Sequence, residues 1–158
     1  MRKWIVRFAS LLVFNIVVGG IVGGSAGTSS GGIFVEGNVT SINVKGDVLG
    51  GEALESGVIR VGGKAGSIVL LGALTGGAGE DSGRIEVGTD PSDAIRSISI
   101  ARDVNGGSGD GSGVVHAVGK VGVLSIKGSL HGASGEGSGA AHLDAGATTV
   151  VIAGDVDG

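Results

Sequence analysis

Three acidic residues, Glu80, Asp110 and Glu136, fall at matching places in "GGAGEDSGRI" (76–85), "GGSGDGSGVV" (106–115) and "GASGEGSGAA" (132–141). Carboxylates at matched places are hard oxygen donors, so the chemistry to consider first is calcium binding. A calcium ion takes six or more oxygens, and one carboxylate per string falls short unless carbonyls or neighbouring strings contribute. Asp47, Asp103 and Asp155 form a second partial column, interrupted by Ala73 and Ser129. The alternative for both columns is a set of acidic side chains that keep the surface soluble.

Two histidines, His116 and His142, also share a place, with Glu86 nearby in the same column. Such a set could chelate a transition metal; solvated side chains on a surface ladder are the competing expectation. His131 lies elsewhere and completes nothing. The glycine strings resemble phosphate cradles only superficially. A dinucleotide site needs a strand before the glycines and a helix after them, whereas here a strand pattern follows, and none of the loops contains G-K-[ST]. Polysaccharide cleavage needs two carboxylates facing across a cleft. Pairs such as Glu80-Asp81 sit in glycine-rich loops instead, tyrosine is absent, and the single tryptophan is Trp4. No catalytic, cofactor-binding or metal residue is therefore assigned, and no cofactor is expected. Calcium at Glu80, Asp110 and Glu136 stays open as the alternative.

What positions these residues is a repeat. Units of 26 residues begin at Ile16, Ile42, Ile68, Ile98 and Leu124, with a truncated sixth at Val150, and four extra residues fall near "TDPSDA". Apolar columns recur within each unit: Ile42, Val44, Val48, Ile59, Val61 and Ala65 match Ile98, Ile100, Val104, Val115, Ala117 and Val121. Members of a pair stand two apart, which is the strand period, and no helical stripe fits. Glycine recurs at the ninth place, as in Gly50, Gly76 and Gly106, and a Ser-Gly pair recurs as Ser56-Gly57, Ser82-Gly83 and Ser112-Gly113. About six inward residues cannot make a core alone, but stacked coils about 4.8 Å apart would share one. The expected fold is all-β, a parallel β-solenoid of about five 26-residue coils with glycine-rich corners. Serine before a corner glycine would bond nearby backbone and hold the turn. In the outward column Phe34, Arg60, Glu86, His116 and His142, Arg60 and Glu86 should form a cross-strand ion pair.

The pattern G-D-[VL]-x-G-G-x-G-x-x-S-G-x-[IV], as in "GDVLGGEALESGVI" and "RDVNGGSGDGSGVV", resembles repeats of large secreted bacterial surface proteins of the adhesin or autotransporter-passenger type. The resemblance covers residues 16–158 and is one of repeat style. It implies an extracellular β-helix that serves as stalk, coat or adhesive surface. The calcium-binding nonapeptide pattern is a poorer fit, because it repeats every nine residues and places its aspartate one position later than Asp110.

Composition agrees with a packed domain. Glycine numbers 36, yet 41% of residues are hydrophobic, too many for a disordered chain. Cysteine is absent, so disulfide frameworks and thiolate zinc sites are excluded. Eleven basic residues face fifteen acidic ones, and three of the basic ones, Arg2, Lys3 and Arg7, stand at the N-terminus. The remainder is acidic, which disfavours a phosphate backbone, and no nucleic-acid partner is expected. "MRKWIVRFASLLVFNIVVGGIVGGSAG" has a basic start, an apolar run and small residues near Ala26, the parts of a signal peptide. The run is too short and interrupted for a stable membrane span. Residues 1–26 are therefore read as a signal peptide or N-terminal apolar cap, and residues 27–158 as one solenoid domain, open or truncated at its end. The expectation is a non-enzymatic structural or adhesive segment of a secreted or cell-surface bacterial protein; the alternative is a calcium- or carbohydrate-binding module, with a polysaccharide-active enzyme behind it. Expected partners are further copies meeting at exposed coil ends, the cell envelope, or a surface glycan.

Overall fold

The computed structural model describes residues 15–158 and the backbone of Ile5–Phe8. Each repeat winds once around a shared interior and gives one strand to each of three sheets. The first turn holds β1 (Ile5–Phe8), β2 (Asn15–Val18) and β3 (Ile21–Val22), and the second β4 (Gly32–Val35), β5 (Val39–Val44) and β6 (Val48–Leu49). The third holds β7 (Ile59–Val61), β8 (Ala65–Leu70) and β9 (Leu74–Thr75), and the fourth β10 (Ile85–Val87), β11 (Ile95–Ile100) and β12 (Val104–Asn105). Then follow β13 (Val115–Ala117), β14 (Val121–Ile126) and β15 (Leu130–His131), and finally β16 (Ala141–Leu143), β17 (Ala147–Ile152) and β18 (Val156–Asp157).

The first sheet runs β1-β4-β7-β10-β13-β16, and the second and third are built the same way from the following strands. Every pairing is parallel and in register: Ile42 lies beside Ile68, Ile68 beside Ile98, Ile98 beside Leu124 and Leu124 beside Val150. The fold is thus an all-β parallel β-solenoid with six turns, one more than the five full repeats, because β1 adds a sixth strand to the first sheet and the truncated last unit adds β17 and β18 to the other two. No helix among the described residues is long and apolar enough to cross a membrane.

Strand alternation points the apolar columns into one continuous core. Ile42, Val44, Ile59, Ile68, Ile98, Leu124 and Ile126 are fully buried, each worth about 1.5–3 kcal/mol of transfer free energy. In the last turn the equivalent Ala141, Leu143 and Ala147 are only partly covered, and Val150 is 49% exposed, since each coil relies on the next to remove its water.

The glycine strings join the third sheet to the first and are as tightly laddered as the strands. Gly79 N–H donates to the Gly51 carbonyl, Gly109 to Gly77 and Gly135 to Gly107 (2.9–3.1 Å). The Ser-Gly serines are buried, and each hydroxyl oxygen accepts a backbone N–H of its own corner: Gly51 to Ser56, Gly77 to Ser82 and Gly107 to Ser112, at 2.9–3.0 Å. The two glycine columns serve different needs. A Cβ on Gly50 would lie 2.6 Å from Gly77 N in the next coil, whereas Gly57 has φ +65° and its Cβ would run into the Leu49 carbonyl. The first glycine permits close approach of coils; the second supplies a left-handed backbone.

Candidate functional site

The outward side of the first sheet aligns several side chains capable of chemistry. Register stacks Phe34, Arg60, Glu86, His116 and His142 in one line, as the sequence column predicts. Arg60 Nε donates to Glu86 Oε2 at 2.9 Å, so the cross-strand ion pair is present. Its Nη2 donates to Glu55 Oε1 at 2.8 Å, and the guanidinium carbon stands 5.9 Å from the Phe34 ring centroid. Ser29 Oγ donates to the other Glu55 oxygen at 3.1 Å. The Arg60 hydrogen bond, with smaller help from its charge and from Ser29, holds the Glu55 carboxyl below the ordinary glutamate range despite partial burial. Burial opposes the Arg60 charge, but Glu55 and Glu86 outweigh it and raise its pKa.

Arg84 is the residue that column reasoning missed. It takes the place held in neighbouring coils by the buried Val58 and Val114, so an arginine is laid across an apolar column. Its Nη1 pairs with Asp81, and its Nη2 lies 2.9 Å from His116 Nδ1. Its Nε is buried without a hydrogen-bond partner. A guanidinium can only donate. His116 Nδ1 therefore accepts, the ring carries its proton on Nε2, and that N–H faces Asp144 Oδ2 at 3.1 Å. Aligning Arg84 with Val58 and Val114 was the signal available in the sequence.

This chain of contacts bears on the metal idea. Both His116 nitrogens are engaged, and the His142 ring meets it edge-on with centroids 6.5 Å apart. Among the described residues no three histidine or carboxylate side chains converge as a metal ion would require. His131 stands apart on the third sheet, 2.6 Å from Asp157 Oδ1, and this partner raises its pKa.

The acidic columns have a different occupation. Asp110 Oδ1 accepts the N–H of Glu136 in the next coil at 2.8 Å, while Glu80 and Glu136 extend their side chains into solvent. Asp47 Oδ1 likewise accepts the Ala73 N–H and Asp103 Oδ1 the Ser129 N–H, both at 2.8 Å. Asn38 Oδ1 takes the Lys64 N–H at 2.8 Å, and where Ser129 stands in the column its hydroxyl oxygen takes the Asp155 N–H at 3.1 Å. These side chains stand in for carbonyls at corners where the backbone ladder would otherwise lapse.

The four-residue insertion before β11 forms a lip at the corner between the first and second sheets. Thr89 Oγ1 donates to the Gly62 carbonyl at 2.8 Å, and Asp93 Oδ2 accepts the N–H groups of Thr89 and Asp90. An open groove beside it is lined by Phe34, Val35, Glu36, Arg60, Gly62 and Thr89.

The second sheet presents the opposite surface. Two of its outward columns are Asn15, Ser41, Ser67, Ser97, Val123 and Thr149, and Val17, Asn43, Val69, Ser99, Ser125 and Val151; a third, Thr40, Gly66, Arg96, Gly122 and Thr148, borders them. Neither of the first two is charged.

These features define a parallel β-solenoid whose polar side chains chiefly brace one coil against the next. No protein-family model, curated protein or solved structure matches this chain.

Proposed function

We propose that the chain is a non-enzymatic structural or adhesive segment of a secreted or cell-surface β-solenoid protein, with surface repeats of the adhesin or autotransporter-passenger type as its analogues. The observation that supports it is the use of the corner acids. Asp47, Asp103 and Asp110 each commit an oxygen to a backbone N–H one coil away, a bracing role rather than a catalytic one. The outward ladder of Arg60, Glu55 and Glu86 is likewise closed on itself. A stiff rod with a charged side and a flat neutral side suits a stalk or coat.

The reading places the chain outside the cell, with residues 1–26 as a signal peptide or as the N-terminal apolar cap to which β1–β3 belong. The test is protease accessibility of the native protein on intact cells, with N-terminal sequencing of the mature chain. Surface labelling supports it, with cleavage near Ala26 marking a signal peptide and an intact N-terminus an apolar cap; protein confined to the cytosol overturns it. Thermal melting with calcium examines the rival module. The melting temperature should stay unchanged in millimolar calcium, and a rise that disappears in Asp110→Asn would replace this reading with calcium binding.

A further inference from the structure

We propose that the outward face of the second sheet is a self-association surface that mates with the same face of a second copy of this chain. The inference stands apart from the cellular role above, since a rod in any compartment could pair this way.

Charge distribution is the first ground. Residues 8–158 carry eight Lys and Arg against fifteen Asp and Glu, so two copies repel at long range. The two outward columns of β2, β5, β8, β11, β14 and β17 hold no charge along the length of the rod. Arg96 on one side and Lys45 and Lys127 on the other flank them as a polar rim. Another copy can seat on these two columns with the charges confined to the edge of the contact.

Exposed apolar surface is the second ground. Val17, Val123 and Val151 in these columns are 59%, 41% and 47% exposed, and Leu71, just beyond β8, is 50% exposed. The serines between them, Ser67, Ser97, Ser99 and Ser125, are short enough to leave the face flat.

Periodicity selects the occupant. Parallel in-register strands repeat the face about every 4.8 Å, and another copy presents the same spacing over the same length, so that its rows can settle between these rows. Six strands about 29 Å across by some six residues of about 3.3 Å give roughly 550 Å² per copy, or about 1,100 Å² in total, at the lower end for a specific dimer. A weak, concentration-dependent dimer is the consequence. It strengthens with salt, because screening relieves the repulsion of two acidic bodies.

Sedimentation velocity on the full chain tests this, with variants that separate face from end. The wild type should shift from monomer toward dimer over tens to hundreds of micromolar, more strongly at high salt, with dissociation near the 10⁻⁴ M range set by a small interface. Ser97→Lys combined with Ser99→Lys should weaken association at least roughly tenfold through apposed like charges, with the melting temperature unchanged. Val156→Lys, on the exposed last strand, should leave it unchanged. Because the chain lacks cysteine, Ser97→Cys gives an independent readout: mild oxidation should link two copies far faster than it links Glu52→Cys, which lies in a corner. A wild type that stays monomeric, association indifferent to the paired lysines, association lost in Val156→Lys, or equal cross-linking at the two cysteines overturns the proposal.

Discussion

On the first sheet's outward side Arg60 stands over Glu86; on the second sheet's, Ser67 stands over Ser97, with the same parallel pairing. Stacking places each side chain against its equivalent about 4.8 Å away, so the column, rather than the single residue, is the unit that must be stable. Where a column is charged, signs alternate or a neighbour neutralises, as Glu55 does for Arg60 and Asp81 for Arg84. Where it is neutral, no partner is needed and the face stays open to another molecule. The difference teaches that the first sheet pairs its charges internally, while the two neutral columns of the second have no charge to neutralise.

Sign reversal should break the comparison hardest. Arg60→Glu brings three carboxylates together on the first sheet and should cost about 2–3 kcal/mol after allowance for partial exposure. Ser67→Glu, on the second sheet of the same coil, should cost under about 0.5 kcal/mol. Chemical denaturation of both checks it, and equal losses would end the distinction.

Serine offers the next contrast. Ser112→Ala leaves the Gly107 N–H without its acceptor inside a buried corner and should cost about 1–2 kcal/mol. Ser97→Ala on the open face should be neutral within about 0.5 kcal/mol. Midpoints of urea unfolding compare them directly.

Arg84→Val should run the other way. It restores the apolar column of Val58 and Val114 and removes a donor that has no partner, so a gain of about 1 kcal/mol is expected. A loss of stability in calorimetry would mean that the Asp81–Arg84–His116 chain contributes more than the valine packing it displaces.

Titration separates the faces further. Glu55 has a lowered folded pKa, so the unfolded chain takes up its proton first. Its contribution is complete above the ordinary glutamate value of about 4.3 and is lost as pH falls through the lower folded value. Melting temperature should drop across that acidic window, and Glu55→Gln should flatten the drop.

The smallest effect belongs to His131. Its raised pKa makes the Asp157 pair fully stabilising below about 6.5 and lost as pH rises through the folded value. Hydrogen exchange of the Leu130–His131 amides should quicken slightly over that range, and His131→Asn should remove the dependence.

Most of the architecture is legible in the amino-acid order, because a 26-residue repeat with alternating apolar columns has one economical way to bury them. The inward set Ile42, Ile68, Ile98 and Leu124, the corner serines and the Arg60–Glu86 pair all follow from counting places. Counting could not say what the corner acids do. Whether Asp110 faces solvent, an ion or a backbone N–H depends on how closely one coil lies above another, and only the folded chain brings Glu136 N to 2.8 Å from it. The same holds for Arg84, whose neighbours Val58 and His116 are distant in sequence and become walls only when the coils stack. The sequence by itself determined the period, the core and the columns, since these are set by local alternation and repetition. The tertiary structure decided the strand β1 ahead of the first repeat, the partners of the carboxylates and the contrast of the two outer faces, because those depend on distances between coils that no single repeat contains.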